Sequence, residues 1–290
     1  MVSFPELVSQ AMNGVVIGLL YALIALGFNL TLGVMGVINF THGVLLAWGG
    51  YFAFTLRPII GFWPALLISP ILVGIMGLLL EFPVRRTYGK DPLFGLLLTA
   101  GAAMALEELC RTIWGSVGRS LAAPPFVAGP IMLGFMPYSK YRLFLAGLSL
   151  LLIFLVWAFL EKTPYGAIIR AGAFDSEMIM ALGIDLKRLR TLVFGLATAL
   201  AGLAGVIAAP LWSLKPTMGN DAIMPAFVVV VIGGVGSFWG MVLGGLIVGI
   251  STSISVIVLP RTSQIVMYAL MALVILVRPR GLMGERSILE

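Results

Sequence analysis

Between residues 7 and 56 the chain carries no Asp, Glu, Lys or Arg, and the same holds for 58–80, 92–106, 143–160, 191–214, 222–260 and 262–277. A helix needs about 20 apolar residues to cross a bilayer, so the first and sixth of these runs are each long enough to cross twice. Only 10% of the 290 residues are charged, 60% are hydrophobic and the mean hydropathy is +1.10. A soluble domain carries about a quarter charged residues. The chain is therefore built for a membrane.

Lipid offers no partners to backbone N–H and C=O groups, so a spanning segment is either a helix or part of a closed barrel. The runs are dominated by Leu, Gly, Ala and Ile and lack a ten-residue alternation, which selects helices. The 35 glycines fit close helix–helix approach in lipid. The expected fold class is an all-α polytopic membrane protein of roughly eight to nine transmembrane segments, some discontinuous and Gly-rich. The segments fall at about 7–31, 36–56, 62–82, 93–113, 142–160, 191–213, 218–236, 239–259 and 262–277. One transmembrane domain, 1–290, is expected, with a polar loop at 161–190. The first apolar run has no basic lead and no cleavage signature, and reads as a transmembrane helix rather than a signal peptide.

Three basic clusters separate the runs: Arg85, Arg86 and Lys90; Lys162, Arg170, Lys187, Arg188 and Arg190; Arg278, Arg280 and Arg286. The positive-inside rule puts all three in the cytoplasm, with the C-terminus. The net charge of +6 is thus accounted for without nucleic acid, for which there is no basic arm or zinc-ligand spacing. The segment "GSVGRSLAAPPFVAGPIMLGFMPYSK" reads as an external connector, and Glu107 with Arg111 as a structural i,i+4 pair.

Enzyme chemistry finds little material. One histidine and the single Cys110 cannot build a multi-His or Cys-rich metal site, and no disulfide is possible within the chain. There is no G-x-S-x-G elbow and no phosphate loop; "TYGKD" lacks both spacing and hydroxyl. No cofactor is expected. Ion-coupled transporters place carboxylates at mid-membrane, and 7–56, 191–214 and 222–260 hold none. A neutral, glycine-rich pathway driven from outside the chain is what remains.

Two stretches point to such a pathway. "GVMGVINFTHGVLLAWGG" at 33–50 sets Asn39, Thr41 and His42 among Gly33, Gly36 and Gly43, and "VIGGVGSFWGMVLGG" at 231–245 answers it in the other half. Paired Gly-interrupted segments mark transport routes. For Asn39 and His42 two roles stand open, lining the route or bonding between helices. In 161–190, Thr163 before Pro164 is a helix start, and Gly183 can end the helical region. Its apolar residues keep helical spacing, with Arg170 and Asp175 on the flanks. The element is either a helix lying on the bilayer or a docking helix; its small residues suit a cleft better than lipid.

The residues also resemble a known family. "GLLYALIALGFNLTLGVMGVINFTHGVLL" (18–46), "YGAIIRAGAFDSEMIMALGIDLKRL" (165–189), "KPTMGNDAIMPAFVVVVIGGVGSFWGMVLGGLIVG" (215–249) and "RPRGLMG" (278–284) are similar, in order, to the permease subunits of branched-chain amino-acid ABC importers, the Liv type, and closer to the H-like member. The resemblance implies an importer subunit in the inner membrane that pairs with a second, related permease. It also implies two cytoplasmic ATPases and a periplasmic binding protein as partners. Asn39, Thr41, His42 and Gly43 then match the pathway segment, and Gly166, Arg170, Ala171, Asp175 and Gly183 the ATPase-coupling segment. The competing function is an ATP-independent channel for small neutral solutes, which would not need a docking helix. Two departures stand out. The family usually reads Asn-Phe-Ala-His-Gly-Glu, whereas here Val44 replaces the carboxylate, which leaves room for a more apolar carboxylate solute. Met178, Ile179 and Met180 stand where the family is richer in alanine.

Overall fold

The structure is a computed structural model that describes residues 4–134, 136–258, 260 and 263–284. Among these residues there are eleven α-helices: α1 Phe4–Met35, α2 Thr41–Ile60, α3 Phe62–Val84, α4 Pro92–Trp114, α5 Lys140–Lys162, α6 Pro164–Phe174, α7 Ser176–Ala181, α8 Leu186–Ala208, α9 Met218–Gly233, α10 Phe238–Val258 and α11 Ser263–Val277. Seven are long and apolar enough to cross a membrane, and α9 and α11 are shorter apolar helices. Together they occupy the nine expected segments.

Three local features depart from the sequence reading. The connector between α4 and α5 contains an antiparallel hairpin, β1 Pro130–Leu133 with β2 Met136–Ser139, whose turn uses Gly134 at φ 59. The second apolar segment begins its helix at Thr41 rather than near 36, because Gly36 adopts φ 65 and ends α1. And α8 starts at Leu186, since Asp185 accepts hydrogen bonds from Lys187 N and Arg188 N and so caps a first turn that is basic rather than apolar.

The chain groups into two compact units. In the unit of residues 26–121 and 155–223, α2, α3 and α8 form the core, and glycine sets how near they come. A Cβ on Gly49 would strike the Gly202 carbonyl, one on Gly205 the Leu46 carbonyl, and one on Gly202 would lie 2.7 Å from Val73 Cβ. Without a hydrophobic drive between helices in lipid, such contact is what holds them. At the far end of α8 from Asp185, Arg119 and Leu214 exchange backbone hydrogen bonds at 2.8 Å. Glu107 meets Arg111 at 3.2 Å and accepts from Asn220 Nδ2 at 2.8 Å, so the expected pair is formed and also ties α4 to the start of α9.

In the unit of residues 1–25, 122–154 and 224–286, α1 meets α10 through Gly14, Gly18, Gly245 and Gly249. Asn13 Oδ1 accepts from Tyr138 in β2 and Arg142 in α5, which fastens the hairpin to α1. The segment after α11 folds back on the end of α9: Leu282 N donates to Ile232 O at 2.8 Å and Met283 N to Gly233 O at 3.0 Å. Gly281 and Gly234 face each other with no room for a Cβ on either. Arg286 lies outside the described residues.

Candidate translocation and coupling sites

The break between α1 and α2 is built from its backbone outward. Gly36 N donates to Leu32 O at 2.9 Å and its left-handed φ turns the chain out of α1, a conformation that suits glycine. The polar groups of an unwound stretch need partners. Thr99 of α4 supplies them: its Oγ1 lies within hydrogen-bond reach of Ile38 O, to which it donates at 3.0 Å, and accepts from Phe40 N at 3.3 Å. Asn39 Oδ1 accepts from Thr41 N at 3.1 Å and from the Thr41 hydroxyl, an Asx turn that opens α2. Thr41 N–H can only donate, so the atom facing it is the amide oxygen. The Asn39 NH2 points the other way, buried and with no hydrogen-bond partner among the described residues.

Asn39, Thr41 and His42 are all fully buried. The His42 ring fills the space left by Gly27, where a Cβ would lie 2.8 Å from Cε1, and meets Phe28 edge-on at 5.9 Å between centroids. Gly43 lies against the Gly219 backbone with no space for a Cβ on either residue. Gly33 and Gly36 are different: no atom lies within 4 Å of where a Cβ would sit, and Gly36 is exposed. So the four sequence candidates are packed inside helix contacts, and the exposed part of the break is the backbone at Gly36. Val44, in the place of the family's carboxylate, is packed away at 1% exposure. The second Gly-rich stretch makes a turn between α9 and α10 with Gly234 at φ 96 and Gly236 at φ 86.

The 161–190 segment begins as its sequence predicts. Thr163 Oγ1 accepts from Gly166 N at 3.1 Å and Pro164 takes the first helical position. The single helical region expected up to Gly183 is instead two helices. Asp175 adopts φ −146 and ψ 98, ends α6 and caps α7 by accepting from Glu177 N at 3.0 Å and Met178 N at 2.9 Å. Asp175 is thus a helix cap rather than a flank residue. Gly166 is buried against the carbonyls of Phe159 and Leu160, and Gly183, at φ 79, turns the chain after α7. Arg170 reaches Glu161 at 3.5 Å on the surface, a pair of small energetic worth. Of the five coupling candidates, Arg170 and Ala171 are outward-facing side chains on α6. Met178 and Met180, which already stood out in the sequence, belong to a larger set of exposed apolar side chains with Tyr165, Phe174 and Leu182, each more than half exposed. Exposed apolar side chains gathered on one polar loop are candidates for a contact surface.

Comparison with known proteins follows the same lines. A family model described as "Branched-chain amino acid transport system / permease component" matches residues 10–275. The chain is similar to the high-affinity branched-chain amino acid transport system permease protein LivH of Escherichia coli (strain K12), 30% identical over 98% of each chain. It is 29% identical to the permease protein BraD of Pseudomonas aeruginosa over 96% of each chain. With the permease protein LivM of Escherichia coli it shares 27% identity over 97% of this chain and 72% of that protein. Among solved structures, PsaBC from Streptococcus pneumoniae in complex with Fab overlays at TM-score 0.49 and 14% identity, covering 93% of this chain and 89% of that one.

Proposed function

The chain belongs to the permease-component family of branched-chain amino-acid transport systems, and on that premise we propose that it carries branched-chain amino acids, or a related small carboxylate-bearing solute, as the H-like permease of an ABC importer. It is a transport subunit. Its similarity to both LivH and LivM supports work beside a second, related permease. ATP hydrolysis is supplied by two cytoplasmic ATPases and solute by a periplasmic binding protein. The relatives favour this reading over an ATP-independent channel, and so does the exposed patch on α6 and α7.

The observation that carries the pathway is the break itself: an open backbone at Gly33 and Gly36 beside a buried, unpartnered Asn39 amide. A buried donor left unmade costs about 1–3 kcal/mol, which a passing polar solute can relieve. Asn39, Thr41, His42 and Gly43 form the wall of that route. The test is reconstitution in proteoliposomes with both ATPases, the second permease and the binding protein. Radiolabelled leucine should accumulate only with ATP, and this chain alone should hydrolyse none. His42→Ala and Asn39→Leu should lower uptake while the complex still assembles; unchanged uptake in both removes these residues from the route.

The proposed orientation puts the three basic segments in the cytoplasm of a multi-pass inner-membrane protein surrounded by lipid. Support comes from Arg85 reaching Thr191 at 3.2 Å, which brings the first two clusters to one end of α8. In a Cys110→Ser background, single cysteines at Lys90 and Lys187 should react with an impermeant thiol reagent only after permeabilisation, and one at the exposed Val117 in intact cells. The reverse pattern overturns the orientation.

A further inference from the structure

One carboxylate in the core of the 26–121 and 155–223 unit has no part in the reading above. Glu81, in the last turn of α3, is fully buried. Ionisable groups at such depth are costly and sit where they are paired. Arg85 pairs with it through Nε, at 3.2 Å to Oε2, and through its terminal NH2 group. Two hydroxyls complete the shell: Thr191 Oγ1 donates to Oε2 at 3.1 Å, and Tyr88 OH lies 3.4 Å from Oε1.

Each of these hydroxyls has one proton and a second acceptor. Thr191 also lies 2.9 Å from Lys187 O, in the first turn of α8, which a short turn through Gly183 joins to α7. Tyr88 OH also lies 3.3 Å from Met35 Sδ, and Met35 is the last residue of α1, next to Gly36. Burial, first, and the Glu81 charge, second, hold the Tyr88 phenol far above its ordinary pKa, so it keeps its proton. The Arg190 guanidinium covers its ring at 5.1 Å from the centroid. A carboxylate therefore stands between the helix that leaves the α6–α7 surface and the residue that enters the break.

We propose that Glu81 is a positioning residue: it transmits movement of the α8 start to the end of α1 by exchanging the Thr191 and Tyr88 hydroxyls with their alternative acceptors, so that ATPase docking and the break change together. The proposal rests on α6–α7 being the ATPase contact. Breaking one hydroxyl contact leaves the Glu81–Arg85 pair in place and removes no apolar volume of note, so the fold should survive.

The experiment uses the full complex with a single cysteine at Ile38, half-buried in the break, in the Cys110→Ser background. Its maleimide reactivity is measured with and without ATP, which needs no transported solute. A second cysteine at Tyr165 reports docking by crosslinking to the ATPase. With Glu81, Tyr88 and Thr191 intact, ATP should shift Ile38→Cys reactivity. Tyr88→Phe or Thr191→Val should each reduce that shift about 5-fold, the worth of one hydrogen bond, with crosslinking and melting temperature unchanged. The double variant should lose no more than about the larger single loss, because both act on one link. An ATP shift absent in the parent, unchanged in the variants, or reduced multiplicatively in the double variant overturns the proposal. So does a fall in melting temperature that accounts for the loss. Failure of the Tyr165 crosslink instead brings down the docking assignment, and is visible separately.

Discussion

Gly205→Leu is expected to yield no folded, monodisperse protein from detergent. Position 205 is in α8, fully packed on α2, and the first atom a side chain would meet is the Leu46 carbonyl oxygen, with the Leu46 carbonyl carbon 2.8 Å away. Backbone cannot rotate aside as a side chain can. Adding one methylene to a packed core typically costs about 1–3 kcal/mol. Here a whole helix would have to shift, and with it the crossing at Gly49 and Gly202 and the fit of Gly202 to Val73. A total stability of about 5–15 kcal/mol leaves little margin for that. The matched control is Gly101→Leu on α4, an exposed position with no atom within 4 Å of its Cβ site, which should purify and melt like the parent. Equal yield and melting temperature for the two variants would show that α2 and α8 do not cross at Gly205.

The second large effect belongs to α6. Ala171 is exposed, so tryptophan there costs the chain itself little, yet it stands beside the patch of Tyr165, Phe174 and Met178. Ala171→Trp should therefore abolish co-purification of the ATPases, or their solute-stimulated hydrolysis, without lowering the melting temperature of the isolated subunit. Asp175→Asn should be mild, because the amide oxygen still accepts from Glu177 N and Met178 N. Asp175→Ala loses that cap, worth about 1 kcal/mol, and should loosen α7. Should the Trp variant retain bound, stimulated ATPase, α6 and α7 lie on lipid and the contact is elsewhere.

The chain announces its helices because lipid demands it. Charge-free runs of the right length leave no other structure, and seven long and two short apolar helices lie where those runs lie. The α1–α2 break was legible too, since Gly36 is followed by Asn39 and Thr41, an Asx turn in waiting. Thr99 was not. A lone threonine in the apolar run 92–106 bears no local mark of its task, because the carbonyl and N–H it serves belong to a stretch some sixty residues earlier that has first to unwind. The same blindness hid Glu81, whose shell is drawn from α3, the turn after it and α8. In 164–183 the apolar spacing suits one continuous helix, and only the backbone of Asp175 reveals two. The pattern counts which residues share a face; it does not record where an aspartate prefers to cap rather than continue.

The tail that closes on α9 sets an order of events during synthesis. The Ile232 and Gly233 carbonyls receive their hydrogen bonds from Leu282 and Met283, roughly fifty residues later, or about 3–10 s behind at ~5–20 residues per second. Through that interval α9 has left the ribosome with its last turn unfinished, at a place where Gly234 and Gly281 must still slide together. Those two hydrogen bonds can therefore form only after α10 and α11 have been made and the chain has returned to the end of α9. A chain in which α10 or α11 is misplaced leaves the Ile232 and Gly233 carbonyls without these two donors.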